Sequence, residues 1–291
     1  MGTVPVLRLN EGSQAPPRLR VQHSLWSLRR LPMNAAQEWT LDEKFRRVRE
    51  AGFEGVECWL GPQDEAEVKA ALDRHGLRLV LGHRPFTVEQ TRTVVEQAVR
   101  LGADFVFAQP ADAFTPPDEV ARLVTEGRRI ANDQGLPYFV ETHRNNFTET
   151  LPQTISLIER VPDIRFTADL SHFVVVGEFY GWEEERAADR MMPVLERTSH
   201  MHGRIGNGEQ VQVDVGDGSG QTPQFFVRLW ETVFRAWLRE AGPGDIFPFA
   251  SELGPPRYAI TLPDGSEFSD RWEQSLVMKK LAEQAWAQAT R

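Results

Sequence analysis

Hydrophobic and polar positions along the chain repeat one grammar. A short β-branched or aromatic run is followed by an amphipathic stretch with a helix-start signal, then a glycine and the next run. The runs fall at 21–27 (VQHSLWS), 55–59 (GVECW), 77–83 (LRLVLGH), 104–109 (DFVFAQ), 136–143 (LPYFVETH), 164–170 (IRFTADL), 197–204 (RTSHMHGR) and 246–253 (IFPFASEL). Each predicts a strand. Leu41, Phe45 and Val48 put one buried stripe on the first helix, and Gly52 suits a left-handed position just after it. Thr40 with Glu43, and Thr87 with Gln90, have capping-box spacing. Further helices are predicted near 64–74, 88–101, 117–134, 151–160, 183–197, 223–240 and 270–289. Trp230, Phe234 and Trp237 recur at helical spacing and predict packing against a sheet.

Eight strand-helix units predict an α/β fold, a single (β/α)₈ TIM barrel, which typically takes about 250 residues. A doubly wound open sheet is the alternative, but no G-x-G-x-x-G turn follows the first strand. Residues 1–19 lack the pattern and are expected to be an irregular N-terminal arm, leaving 20–291 as the barrel. Long loops are predicted after strand seven (Ile205–Thr222) and strand eight (Pro255–Ser269), and Pro263-Asp264-Gly265 suits a small hairpin turn in the second.

Composition narrows the chemistry. Of 291 residues, 33 are Lys or Arg and 42 are Asp or Glu, a formal charge of −9 that weighs against nucleic acid as a partner. Cys58 is the one cysteine, which excludes an internal disulfide framework and a thiolate-cluster zinc site. No run approaches the roughly 20 apolar residues of a membrane span. Met1 to Arg20 is interrupted by Pro5, Pro16 and Pro17 and lacks an apolar signal region. A cytoplasmic protein with no membrane partner is the expectation.

Polar residues concentrate at the ends of the last four strands: Glu141 and His143, Asp169 and His172, His200, His202 and Arg204, and Glu252. Alternate residues share a strand face, so Glu141 and His143 point one way, as do His200, His202 and Arg204. Three carboxylates converging on one barrel mouth would be repelled and desolvated unless a cation neutralised them. Glu141, Asp169, His202 and Glu252 form a mixed oxygen and nitrogen set suited to one divalent ion: Mn²⁺ first, with Co²⁺, Mg²⁺ and Zn²⁺ as alternatives. His200 could replace His202 as the ligand, or lie lower and donate to a carboxylate. The competing reading is a buried ion-pair network. His143 could belong to the site or orient Glu141, and Arg204 could bind substrate or offset excess carboxylate.

With Glu141, the D-x-x-H of Asp169 to His172, the H-x-H of His200 to His202, and Glu252, the chain resembles the xylose isomerase-like TIM-barrel superfamily. That group includes sugar phosphate isomerase/epimerase proteins, ketose 3-epimerases, inosose dehydratases and endonuclease IV. HMHGRIG and ELGPPRY extend the likeness to members of its sugar isomerase/epimerase group. The resemblance implies a divalent-metal-dependent isomerase or epimerase of a sugar or sugar derivative. Glu141 and Glu252 would be the catalytic pair, one removing a proton alpha to a carbonyl and the other returning it, with the enediolate held by the metal. It also implies that His172 bonds a substrate hydroxyl, that Arg204 holds further oxygens, and that Glu57 and His83 contact substrate. The alternatives are an inosose-type dehydratase, an endonuclease IV-like phosphodiesterase and a non-catalytic barrel. Barrels of this group often form homodimers.

Overall fold

The computed structural model describes residues 4–61, 64–180 and 183–291. Eight parallel strands close in chain order: β1 (Arg18–Ser24), β2 (Gly55–Cys58), β3 (Arg78–His83), β4 (Val106–Ala108), β5 (Tyr138–Glu141), β6 (Phe166–Ala168), β7 (Thr198–Gly203) and β8 (Ile246–Ser251). β8 pairs with β1 from Arg18↔Ile246 to His23↔Ser251, which closes the barrel. Around it lie α1 (Leu41–Glu50), α2 (Glu65–His75), α3 (Val88–Leu101), α4 (Pro117–Asn132), α5 (Leu151–Arg160), α6 (Leu170–Val176), α7 (Glu184–Leu195), α8 (Gln221–Leu238) and α9 (Arg271–Ala289).

The start and stop signals act largely as their chemistry requires. Thr87 and Gln90 complete a reciprocal capping box on α3. On α1 only half forms: Thr40 accepts from the Glu43 amide, while the Glu43 carboxylate is taken by Arg46 and Arg47 one turn on. Gly52 has φ +77°, the left-handed conformation expected after α1. Trp230 and Phe234 of α8 meet Phe249 and Phe247 of β8 edge to face at 5.0 and 4.9 Å. The Pro263-Asp264-Gly265 turn forms, with a Thr261↔Glu267 antiparallel bridge and Gly265 at φ +84°.

Two expected boundaries move in ways that bear on the site. Strand one was expected at 21–27 after an irregular arm over 1–19, but β1 begins at Arg18 and ends at Ser24, and a 3₁₀ turn, Trp26–Leu28, follows. Strand six was expected to run to residue 170, but β6 ends at Ala168 and the next residues begin a short helix, α6. Asp169 caps it, accepting from the Ser171 amide at 3.1 Å.

Alternation along the strands sorts residues between the barrel interior and the helix layer. Gln22, Glu57, Phe107, Thr167, His200 and His202 meet across the interior. Phe107 also belongs, with Val80, Phe105 and Phe139, to a separate apolar cluster on which Leu9 of the N-terminal segment packs. The Leu9 carbonyl accepts from the Ile246 amide at 2.9 Å, and Asn10 bridges to Asp245. On the same side, Arg20 and Asp104 form a buried ion pair at 2.6 Å, joined by Arg78.

Trp230 is fully buried where α8 meets β8. Trp230→Ala is expected to cost about 3–5 kcal/mol through lost burial and the cavity left behind, measured by urea denaturation.

Candidate active site

The C-terminal ends of β5, β7 and β8 aim three side chains at one point. Glu141 ends β5, and its backbone carbonyl accepts from Thr148 Oγ1 at 2.7 Å. His202 and Glu252 reach the same place from β7 and just past β8. His202 Nδ1 lies 3.3 Å from Glu141 Oε1 and 3.0 Å from Glu252 Oε2. Its Nε2 lies 3.2 Å from Glu57 Oε2, at the floor of the site. All four residues are buried.

Electrostatics make this cluster unusual for a protein interior. Glu57, Glu141, Asp169 and Glu252 are four carboxylates, with Arg204 and His202 the cationic groups in direct contact with them. Burial favours a neutral His202 ring, but Glu252, Glu57 and Glu141 outweigh it and hold the imidazolium well above its ordinary pKa. Burial pushes Glu57 up, against the pull of His202. For Glu252, burial is outweighed by His202 and Arg204, which hold its carboxyl at about 2. Burial raises Asp169 as well, against the pull of Arg204, so without a further cation Glu57 and Asp169 are both pushed toward their neutral forms. Ionising all four carboxylates would leave two negative charges in excess of the two cations, which a divalent ion would balance.

The residues fit such an ion. Glu141, His202 and Glu252 each offer a ligand atom, all within 4.8 Å of one another. Neither His202 nitrogen, nor either Glu57 oxygen, has a partner in hydrogen-bond geometry. A carboxylate and imidazole donor set of this kind suits divalent first-row ions and Mg²⁺.

Asp169, the expected fourth ligand, is not in that convergent group. Its Oδ1 accepts from the Ser171 amide and hydroxyl at the start of α6, and its Oδ2 accepts from Arg204 Nε at 2.9 Å. Arg204 also donates from Nη2 to Glu252 Oε2 at 2.8 Å and from Nη1 to Gln212 at 3.1 Å. The guanidinium thus fills the gap between Asp169 and Glu252 and lies over the rings of Tyr258 and Trp26 at 4.6 and 5.4 Å. Gln212 clasps Gly254 by two further hydrogen bonds, tying together the loops after β7 and β8. A Cβ on Gly254 would lie 2.3 Å from the Trp26 ring, so only glycine lets that ring cross.

Above the cluster opens a cavity of about 820 Å³, with Gln109, His143, Arg204 and Glu252 among its polar lining and Trp26, Trp59 and Tyr258 among its aromatic lining. Of the expected substrate contacts, His143 and Arg204 reach this space. Three do not line it. Glu57 points inward as its register requires, but one layer lower, under His202. His83 faces the helix layer, with Nε2 at 3.3 Å from the Tyr138 hydroxyl; the inward position is Gly82, whose Cβ would collide with Phe107. Burial drives His83 down to about 3. His172, on α6, is fully enclosed, its ring 4.1 Å from that of His143 and tilted 53° to it, and burial holds it neutral. His200 occupies the lower layer, with Nδ1 3.0 Å from Thr167 Oγ1 and Nε2 near Gln22 and Glu57.

Sequence reasoning missed Gln109, Tyr258 and Trp26. Gln109 donates to Glu141 Oε2 at 2.9 Å and follows β4 at an inward position, a parity signal that the run DFVFAQ contained. Trp26 opens a short 3₁₀ helix, Trp26–Leu28, where the run 21–27 was expected to continue as a strand, and Tyr258 sits in a loop with its hydroxyl 3.3 Å from His143 Nε2, so strand parity places neither.

The geometry defines a class: a (β/α)₈ barrel with a carboxylate and imidazole centre under its C-terminal mouth. Within that class the chain belongs to the xylose isomerase-like TIM barrel family, whose profile matches residues 45–239. No curated protein sequence matches it. Among solved structures it is similar to a xylose isomerase-like TIM barrel protein from Mycobacterium smegmatis in complex with magnesium, at TM-score 0.61 and 12% identity, covering 99% of this chain and 100% of that one. It is also similar to the probable 3-DHS dehydratase AsbF, involved in petrobactin synthesis, from Bacillus anthracis, at TM-score 0.55 and 16% identity, covering 90% and 98%. At these identities the likeness is one of fold. Among the described residues, no helix is long and apolar enough to cross a membrane.

Because His202 is held protonated, a cation arriving at Nδ1 has to displace a proton. Apparent Mn²⁺ affinity is therefore expected to rise with pH while His202 remains protonated in the free protein, with proton release on binding. Calorimetry in buffers of different ionisation enthalpy measures that release.

Proposed function

We propose that this chain is a divalent-metal-dependent enzyme that removes a proton alpha to the carbonyl of a sugar or related polyhydroxylated ketone, and so acts as an isomerase or epimerase. The observation that carries this reading is the convergence of Glu141, His202 and Glu252 on one point beneath a cavity with aromatic walls. Those three residues would hold the ion, Mn²⁺ by preference. When bound, a divalent ion supplies charge stabilisation at a carbonyl oxygen.

The protein groups divide the remaining work. Glu141, oriented by Gln109, is the base. Arg204 anchors Glu252 and, with Gln212, keeps the loops after β7 and β8 in place over the site. Trp26 and Tyr258 offer faces against which the C–H surface of a sugar can pack, and His143 offers a polar contact beside them. Asp169 serves as the counter-charge that holds Arg204.

A specific observation supports a second reading. Glu252 Oε2 is taken by Arg204 Nη2 at 2.8 Å and faces His202 Nδ1 at 3.0 Å, and these cations hold its carboxyl well below the usual carboxylate range, so it is a poor partner for a proton. A reaction in which Glu141 alone takes and returns the proton needs less of Glu252 than inversion between two bases does. That favours an isomerase, or an eliminating lyase of the dehydratase kind, over an epimerase. The fold likeness to the probable 3-DHS dehydratase agrees with the lyase alternative.

The test is a screen of ketoses and inososes with the Mn²⁺-loaded protein in deuterated water. Deuterium is expected at the carbon alpha to the carbonyl of the substrate or product. An unchanged product mass apart from deuterium marks isomerisation, and loss of one water marks elimination. Glu141→Gln is expected to slow exchange about 10²–10⁴-fold. Exchange that survives this substitution would show that Glu141 is not the base.

A further inference from the structure

His202 sits between two separate acidic groups. Nδ1 faces Glu141 and Glu252, and Nε2 faces Glu57 on the opposite side of the ring, 3.2 Å away. An imidazole can offer a lone pair at one nitrogen only while the other carries the proton, and the group facing that second nitrogen decides which is which. Glu57 is 2% exposed and lies outside the cavity lining, and His202 Nε2 is the polar group nearest its carboxylate. A buried carboxyl group is costly unless a neighbour offers it a proton or a positive charge. Its other close neighbour, His200, is farther off: Nε2 lies 3.6 Å from Glu57 and 3.3 Å from Gln22 Nε2, with Nδ1 on Thr167.

We propose that Glu57 is a positioning residue for the cation: its carboxylate accepts the Nε2–H of His202 from beneath, fixes the ring tautomer, and leaves Nδ1 free for an ion held with Glu141 and Glu252. This rests on the metal-dependent reading above. Glu57 touches neither substrate nor ion and acts through His202. Carboxylates placed behind a ligating imidazole orient the ring and raise its basicity, and their removal typically weakens metal binding about 10–100-fold.

The experiment titrates the full-length protein with Mn²⁺ by calorimetry and with Co²⁺ by visible absorption, comparing wild type, Glu57→Gln and Glu57→Ala. Wild type is expected to bind one ion per chain. Glu57→Ala is expected to weaken Mn²⁺ binding toward the upper end of that range and to shift the Co²⁺ bands. Glu57→Gln keeps an acceptor for the Nε2–H, so it is expected to weaken binding less and preserve the band positions. The metal-free melting temperature of both variants is expected to stay near that of wild type, because His202 keeps Glu141 and Glu252 as counter-charges at Nδ1.

Wild-type affinity and spectrum in both variants would overturn the proposal while leaving the metal-dependent reading standing. Equal weakening in both with unmoved bands would overturn it in favour of simple charge attraction. A fall in metal-free melting temperature parallel to the loss of affinity would overturn it in favour of a structural role. Two ions per chain in wild type and one in the variants would make Glu57 a ligand of a second site instead. Wild type that binds neither ion would sink the metal-dependent reading, and this proposal with it.

Discussion

More carboxyl groups are held inside this barrel than its basic groups can balance if all of them ionise. Glu57, Glu141, Asp169 and Glu252 lie in the interior and, among the described residues, His202 and Arg204 are the cations in direct opposition, while burial pushes Glu57 and Asp169 toward their neutral forms. In a dry interior, each unbalanced charge costs far more than a surface charge does. Other features of the site serve this balance. Ser171 and the start of α6 satisfy one oxygen of Asp169, Gln109 satisfies one oxygen of Glu141, and Arg204 spans Asp169 and Glu252. What these contacts leave over is concentrated where Glu141, His202 and Glu252 converge.

Arg204 divides the carboxylates into two kinds. Asp169 and Glu252 are clamped by a cation that cannot leave, because the guanidinium is enclosed by Tyr258 and Trp26 and tied to Gln212. Among the described residues no arginine pairs with Glu141; its carboxylate meets the amide of Gln109 and the ring of His202. Two glutamates that look equivalent at the ends of β5 and β8 are therefore chemically unlike. The loop residues that create this difference lie in the excursions after β7 and β8, so the chemistry of the centre is set partly from outside the strands.

The barrel itself was legible in the sequence because each strand-helix unit carries its own local signals, and the cap at Thr87 and the glycine at Gly52 are read directly from side-chain chemistry. Strand parity brought Glu141, His202 and Glu252 together correctly. It did not fix depth or hand: Glu57 points inward but lies a layer too low to meet substrate from the mouth, and at His83 the inward place belongs to Gly82. The D-x-x-H segment of Asp169 and His172 misled for a different reason. A short helix begins there, so Asp169 caps a helix and His172 turns into the protein, where a continued strand would have kept them on one line. Gln212 and Tyr258 lie in loops and Trp26 in a one-turn 3₁₀ helix, and their meeting at Arg204 is a tertiary event that strand and helix periodicity does not announce.

The segment before β1 carries a consequence for traffic. Leu9 rests on the aromatic layer of Phe105, Phe107 and Phe139, and Arg20 with Asp104 fills the same end of the barrel, so the described residues stopper the vessel at its base. Among the described residues, the cavity bounded by Trp26, Trp59 and Tyr258 is the large opening at the other end. Under the proposed function, an ion held by His202 and Glu141 would lie beneath a substrate contacting Arg204 and His143, and both would use that one doorway. An ordered exchange would follow, with the ion bound before substrate and released after product.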